Sequence, residues 1–222
     1  MVQIIAGVDE AGRGCIIGPL VLCIAASTLE NGRQLKKLGV KDSKLLSPAS
    51  RERLISNVKA ISETVVVQVT AQELNEMMKT KSLNEIEAIK IAEGLALLKS
   101  EPEIIYIDSP DADPSMFEKR IRKYYSGKAK VVCENHADSN HTIVGAASIV
   151  AKVERDREIE KIKKIVGENF NSGYTSDEIT MEFLKRRVNE EIVLQFVRIR
   201  WETFDRLKQR KLGEFGEEKE NQ

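Results

Sequence analysis

Cysteine is scarce in this 222-residue chain, and the three present, Cys15, Cys23 and Cys133, form no C-x-x-C pair. That pattern excludes a disulfide framework and points to a reducing compartment. Net charge is also missing, since 35 Lys and Arg balance 35 Asp and Glu. A zero sum excludes a uniformly basic polyanion binder, but not a basic face opposite an acidic pocket. No apolar run approaches the roughly 18 residues that span a bilayer. The N-terminus lacks the charged-then-apolar pattern of a signal peptide, so a soluble cytoplasmic protein is expected. There is no internal repeat and no low-complexity linker. Hydrophobic residues make up 41%, which rules out a wholly disordered chain. The length suits one domain, or one domain with a small appendage.

Ile4 to Val8 reads as a short strand and Leu20 to Ala26 as a second, with Gly18-Pro19 marking a turn between them. Ser47-Pro48 opens a helix, the Ser as N-cap and the Pro at the first helical position. Leu54, Val58 and Ile61 give that helix an apolar stripe. Val65 to Val69 is β-branched and reads as a third strand. Ser82-x-x-Glu85 is a capping box for a helix reaching about Leu98. Ile104 to Ile107 is a strand ending on Asp108, and Lys130 to Cys133 is another. Between them Ser115-x-x-Glu118 is read as the cap of a helix carrying Phe117, Ile121 and Tyr124. A long helix is expected from Thr142 to about Val166, and a further one opening at Thr175-x-x-Glu178. The basic segment Val193 to Lys211 reads as helical, broken by Gly213. This order predicts a mixed α/β sheet with helices on both faces and a helical C-terminal appendage.

Four acids hold a special position. Asp9, Glu10 and Asp108 fall at or just beyond strand C-terminal ends, and Asp138 falls between a strand and a helix. Ligands collect at those ends in an α/β sheet. Carboxylates gathered there repel one another unless a cation neutralises them. Hard oxygen ligands suit magnesium or manganese rather than zinc, and a pair of such ions can activate water and stabilise the leaving oxygen of a phosphodiester. Taken singly, each acid could be an ordinary loop or capping residue; taken together, the metal reading is preferred. Two rival motifs fail. Gly12-x-Gly14 lacks the third glycine of a dinucleotide fingerprint, because position 17 is Ile17 and no helix signal follows. Asp111-Ala112-Asp113, flanked by Pro110 and Pro114, reads as an exposed turn.

Asp9-Glu10-Ala11-Gly12-Arg13-Gly14 resembles the opening motif of the type 2 ribonucleases H, the ribonuclease HII family. The resemblance continues through Lys41-Asp42-Ser43-Lys44, Tyr106-Ile107-Asp108-Ser109-Pro110 and His136-Ala137-Asp138-Ser139. It runs on through Ala146 to Asp156, Ser172-Gly173-Tyr174-x-Ser176-Asp177 and Val197-Arg198-x-x-Trp201-x-Thr203. The matches cover roughly residues 4 to 204 in the family's order, and the short chain with late helices is similar to the archaeal branch. The resemblance implies an RNase H-like mixed sheet flanked by helices, with a catalytic domain over residues 1–170. A C-terminal helical substrate-binding part over 171–212 and a flexible charged tail over 213–222 would follow. It implies endonucleolytic cleavage of RNA in RNA–DNA hybrids and incision 5′ of single ribonucleotides in duplex DNA. The products would carry 3′-OH and 5′-phosphate ends, formed by a two-metal mechanism with Mg2+ or Mn2+. The family's four acidic positions fall on Asp9, Glu10, Asp108 and Asp138. This sequence departs from the family where a usual Lys is His136, and where Arg-x-Ser-Trp-Lys-Thr reads Arg198-Ile199-Arg200-Trp201-Glu202-Thr203. The alternative is a non-catalytic hybrid-binding protein on the same fold; four clustered acids facing phosphate argue against it.

Substrate contacts are expected elsewhere too. Gly12-Arg13-Gly14 lets backbone approach a sugar-phosphate closely, and by resemblance this loop reads the ribose. Tyr174 could pack on a deoxyribose at the RNA–DNA junction or be a half-buried surface aromatic. Lys41, Ser43 and Lys44 are candidate phosphate contacts, with a polar loop as the competing reading. From Lys185 to Lys211 nine Lys or Arg stand against four acids, a candidate phosphate-tracking surface. His136 and His141 flank Asp138 and read as structural or as proton carriers. Trp201 reads as a packing anchor. Gln209, Leu212 and Phe215 resemble the sliding-clamp box Q-x-x-L-x-x-F-F, with Gly216 in place of the second aromatic, so a weak clamp contact is expected. A monomer is expected, with no membrane partner.

Overall fold

The computed structural model describes residues 3–40 and 46–209. In chain order the elements begin β1 (Ile4–Ala11), β2 (Leu20–Thr28), α1 (Leu29–Lys37), α2 (Pro48–Ile61), β3 (Glu63–Val69) and α3 (Ala71–Met77). Then come α4 (Leu83–Leu95), β4 (Ile104–Asp108), α5 (Pro114–Tyr124), β5 (Lys130–Glu134) and α6 (Ala137–Asn140). The series ends with α7 (Thr142–Val166), α8 (Glu178–Arg187) and α9 (Glu191–Leu194), followed by a helical segment over 202–209. The described residues divide into two compact units, one of residues 3–13, 20–40, 46–68 and 81–156, the other of 14–19, 69–80 and 157–209. No helix among the described residues is long and apolar enough to cross a membrane.

The first unit is the expected mixed sheet, in the order β3-β2-β1-β4-β5. β1 pairs antiparallel with β2, from Ile4↔Thr28 to Ala11↔Val21. β4 and β5 continue in parallel with β1, in the registers Val8↔Ile107 and Asp108↔Glu134. Alternation along each strand then assigns the faces. On one face, Cys23 and Ala25 share a core with Val58 of α2, Leu35 of α1, and Val144, Ala147 and Ala151 of α7. On the other, Ile24 meets α4 at Gly94, where an added Cβ would lie 2.4 Å from the Ile24 Cδ1. Helices therefore cover both faces, as a sheet with buried strands requires. Residue 7 must be small for a similar reason. A Cβ on Gly7 would lie 2.4 to 2.6 Å from backbone atoms of Ile143 and Val144, so α7 rests directly on β1.

Caps were read correctly where the signal was local. Ser47 accepts from the Ser50 N–H at 3.2 Å and Ser82 from Glu85 at 3.3 Å. Two caps are displaced. α5 starts at Pro114 with Asp113 as its cap, accepting from Ser115 at 2.9 Å, so Ser115 lies inside the helix. α8 is capped by Asp177 rather than Thr175. In both cases the carboxylate accepts one or more N–H groups of the first turn, a strong capping contact. α4 ends at Leu95, before Leu98, and α1 has no counterpart among the sequence expectations.

The second unit is helical around a core that includes Ile16, Phe170, Phe183, Val197 and Phe204. Here the reading of one helix from Val193 to Lys211 is corrected: α9 stops at Leu194 and residues 195–201 are irregular. The backbone there is used for pairing instead. Val197 bridges Ile17, the Arg198 N–H donates to the Ile16 carbonyl at 2.9 Å, and Gly18 N–H to the Phe196 carbonyl at 2.9 Å. Arg198 is fully buried, its Nε donating to the Gly18 carbonyl at 3.0 Å, and its guanidinium lies 5.0 Å from the Trp201 ring centre.

Candidate active site

Sheet register sets the acids side by side. β1 runs on through Asp9 and Glu10, and the parallel pairing that ends at Val8↔Ile107 leaves Asp9 beside Asp108, the last residue of β4. Successive strand residues point to opposite faces. Asp9 therefore faces α7 and Glu10 faces α4. The Asp9 carboxylate accepts from the Glu10 N–H at 2.8 Å and hydrogen-bonds Ser148 of α7. Ser148 in turn accepts from Lys152 Nζ at 2.7 Å, one helical turn on. Asp108 accepts the Ala137 N–H at 2.7 Å. Asp138 follows Ala137 in α6, 2% exposed. The chain enters α6 through His136 in the left-handed region, φ 60°.

Burial dominates the electrostatics. Removal from water raises the Asp9 carboxyl well above its ordinary value; the Asp108 charge raises it further, while Ser148 and Lys152 oppose. Burial likewise raises Glu10, then the charges of Glu87, Asp9 and Asp108, against Arg13. Asp9, Glu10 and Asp108 thus lie within one another's field. Among the described residues no three His, Cys, Asp or Glu side chains already stand in a metal-ligating group.

Past β1 the chain turns at Gly12, φ 79°, a conformation suited to glycine. The Arg13 Nε donates to Glu87 of α4 at 2.9 Å, and its Nη2 to Asn84. Gly14 belongs to the second unit, where the Tyr174 ring lies 4.0 Å from the position of its missing Cβ. Cys15 bridges Tyr174, and the N–H groups of Ile16 and Ile17 donate to the Gly173 carbonyl at 2.8 and 3.1 Å. Gly14 and Tyr174, chosen separately in the sequence, are thus neighbours.

Other candidates are placed less centrally. His141 stacks on Tyr106 at 3.9 Å between ring centres, and its Nε2 lies 2.9 Å from Glu134; both contacts suit a structural histidine. His136 is exposed. Asp111 is held by Arg120 at 3.2 Å, in keeping with the turn reading. Lys41, Ser43 and Lys44 lie outside the described residues, as do Leu212 and Phe215; Gln209 is exposed at the end of the 202–209 helix. The sequence does not single out Asn84 and Glu87, and it places Ser148 and Lys152 in the stretch resembling the family without assigning them a role. The available signals were an i, i+4 polar pair on α7 and an acid inside the apolar run Ile86 to Ile91.

The family model for ribonuclease HII matches residues 6–204. Ribonuclease HII of Archaeoglobus fulgidus is 43% identical over 210 residues, 95% of this chain and 99% of that protein. Ribonuclease HII of Pyrococcus horikoshii is 44% identical over 213 residues, 93% of each. Among solved structures, the ribonuclease HII of an A. fulgidus complex with PCNA superposes with a TM-score of 0.82 at 44% identity, covering 90% of this chain and 96% of that one. Ribonuclease H2 from P. horikoshii gives 0.83 at 43%, covering 94% and 98%. Bst-RNase HIII solved with Mn2+ shares the fold at 22% identity, with a TM-score of 0.81 over 93% of this chain and 69% of that one. Acids at the ends of adjacent parallel strands, a mixed sheet covered on both faces and relatives matched over nearly their whole length agree: the chain belongs to the ribonuclease HII family, metal-dependent hydrolases acting on RNA in RNA–DNA hybrids.

Proposed function

We propose that this ribonuclease H acts by a two-metal mechanism with Mg2+ or Mn2+, and that it also incises on the 5′ side of single ribonucleotides in duplex DNA. The products carry 3′-OH and 5′-phosphate ends. The observation that carries the reading is the set of carboxylates at the ends of β1 and β4, buried Asp9 with half-buried Glu10 and Asp108, each within the field of the others. Such a donor set fits hard divalent cations. Asp9, Glu10, Asp108 and Asp138 would hold them. When bound, the ions activate water and stabilise the leaving oxygen of the phosphodiester. The chain's own part is to aim the acids. Ser148 and the Glu10 N–H fix Asp9, the Ala137 N–H fixes Asp108, and the Lys152 charge offsets part of the local negative field.

Gly12, Arg13 and Gly14 read the ribose through their backbone, and Tyr174, packed beside Gly14, takes the following deoxyribose. Lys41, Ser43 and Lys44 contact phosphate. The experiment compares a DNA duplex carrying one ribonucleotide with an all-RNA strand paired to DNA. Wild type cuts the first on its 5′ side, and Tyr174→Ala loses more activity on it than on the second. Equal losses on both substrates reduce Tyr174 to a packing residue. The solved PCNA complex of the A. fulgidus relative supports a sliding-clamp partner, and the sequence box Gln209, Leu212 and Phe215, with Gly216 in place of the second aromatic, is the proposed weak contact. Calorimetry of a Lys208–Gln222 peptide against the clamp of the same organism tests it, and no heat at high concentration overturns it. The proposed location is the cytoplasm.

A further inference from the structure

We propose that Asn84 and Glu87 of α4 are positioning residues that aim the Gly12–Arg13 turn by gripping the Arg13 guanidinium. The proposal rests on the reading that this turn contacts ribose. Asn84 and Glu87 are three residues apart, on one face of α4. Glu87 is 1% exposed, set between Ile86 and Ala88 in a buried helix face. Its Oε1 accepts from Arg13 Nε at 2.9 Å, while Asn84 Oδ1 accepts from Nη2. A guanidinium is a rigid fork, so two acceptors fix its plane as well as its place.

The second acceptor is itself aimed. The Asn84 amide nitrogen donates to Asp111, which turns its oxygen towards Arg13. Asp111 accepts from Arg120 Nε at 3.2 Å, and Arg120 Nη1 donates to Glu85 at 3.3 Å. Tyr124 donates its hydroxyl to Glu85 as well. The network thus runs from the turn after β1, across α4, to α5, with acceptor and donor alternating at each step.

An ion pair with one partner buried and the other half-buried is weak evidence for stability, because apolar residues of the same size commonly serve as well as a buried charge. Glu87 is also poorly placed for stability alone, since its charge lies in the field of Glu10. What the pair supplies is direction. Gly12 has no side chain to hold the turn and sits at positive φ, so Arg13 is the anchor available on this stretch. With two of its nitrogens committed to α4, the guanidinium serves as an anchor rather than a phosphate clamp. The backbone of residues 12 and 13 is then the surface offered to substrate.

The test uses the full chain in Mg2+ on a DNA duplex with one ribonucleotide, comparing wild type, Asn84→Ala, Glu87→Gln, Arg13→Ala and the double variant Arg13→Ala/Glu87→Gln. Misplacing a contact by about 1 Å can reduce rate by about a hundredfold, so each single variant is expected to lose at least about tenfold in kcat/KM. Glu87→Gln should cost nothing further once Arg13 is gone, and the losses should appear in kcat/KM at temperatures where melting shows every variant folded, which a purely structural role does not produce. The slope of log affinity against log salt on all-DNA duplex should match wild type in Arg13→Ala, whereas a phosphate contact would lower it. Additive losses, a reduced slope, or full activity in Asn84→Ala and Glu87→Gln overturns the positioning role. Should Glu87→Gln fail to fold, Asn84→Ala at the helix edge carries the comparison. Failure of wild type to cut this substrate overturns the underlying reading instead, so the two failures are distinct.

Discussion

Replacing Gly7 by Ala adds one methyl group at the centre of β1, and the structure sets its consequence. The new Cβ would meet Val144 N at 2.4 Å, Ile143 C at 2.5 Å and Ile143 O at 2.6 Å. Carbon atoms pack at about 3.5–4.0 Å, so the two elements must separate by about 1 Å. The obstructing atoms are backbone, so no rotamer change relieves them. Overpacking of this kind costs about 1–3 kcal/mol, which for a chain of this size lowers Tm by about 2–12 °C. The displaced helix is the one that carries Ser148 and Lys152 to Asp9, so hybrid cleavage should fall by about a hundredfold at temperatures where the variant is still folded. Gly32→Ala is the matched control. It lies within α1, an added Cβ meets nothing within 4 Å, and Ala is the better helix former by about 1 kcal/mol. Its Tm should rise by about 2–4 °C with unchanged turnover. Calorimetric melting and single-turnover cleavage of the two variants give the comparison. A Gly7→Ala protein that melts and cleaves like wild type would refute the direct seating of α7 on β1.

Ser148→Ala removes the hydroxyl between Lys152 and Asp9; loss of such a supporting contact costs about 10–100-fold in metal affinity or activity, read as a higher Mg2+ midpoint for cleavage. An unchanged midpoint would mean that Ser148 does not orient the acid. Asp177→Asn keeps the shape of the α8 cap but removes its charge. The Ser172 hydroxyl, the Ser172 N–H and the first-turn N–H groups hold the Asp177 carboxyl below its ordinary value of 3.8. Its stabilisation is therefore complete above that value and is lost as pH falls through the lower folded one. The Tm gap between wild type and Asp177→Asn should be constant near neutrality and close below about pH 4; a gap that widens in acid would refute the assignment.

Elements with local signals were legible. The Ser47 and Ser82 caps, the Thr142–Val166 helix, the strand carrying Asp9-Glu10 near its end and the one ending on Asp108 follow from capping chemistry and apolar period, which act within a few residues; β1 runs on to Ala11, past the expected Val8. Misread stretches were governed by distant partners. Residues 195–201 have a helix-compatible composition, yet their backbone groups pair with residues 16–18 and Arg198 is drawn into the core. Asp113 and Asp177 outcompete the Ser115 and Thr175 caps because each carboxylate reaches the first-turn N–H groups from the turn that precedes its helix. At the site, the acids were visible because they end strands. Ser148 and Lys152 lie in the stretch that resembles the family, but their role was hidden because only the close approach at Gly7 brings α7 to Asp9. Glu87 was hidden because an acid in a helix reads as surface until the helix is seen to be buried.

The central claim is that the Asp9 carboxylate is part of a cation-holding set that performs the cleavage. Its most direct test is single-turnover cleavage of an RNA–DNA hybrid by wild type and Asp9→Asn across a Mg2+ titration, with hybrid binding measured in parallel. Asp9→Asn removes one charge and preserves shape. Wild type should require the added cation and leave 3′-OH and 5′-phosphate ends, while Asp9→Asn falls to background and binds hybrid as well as wild type or more tightly. Wild-type turnover by Asp9→Asn, or full cleavage by the native chain in chelator, would contradict the account.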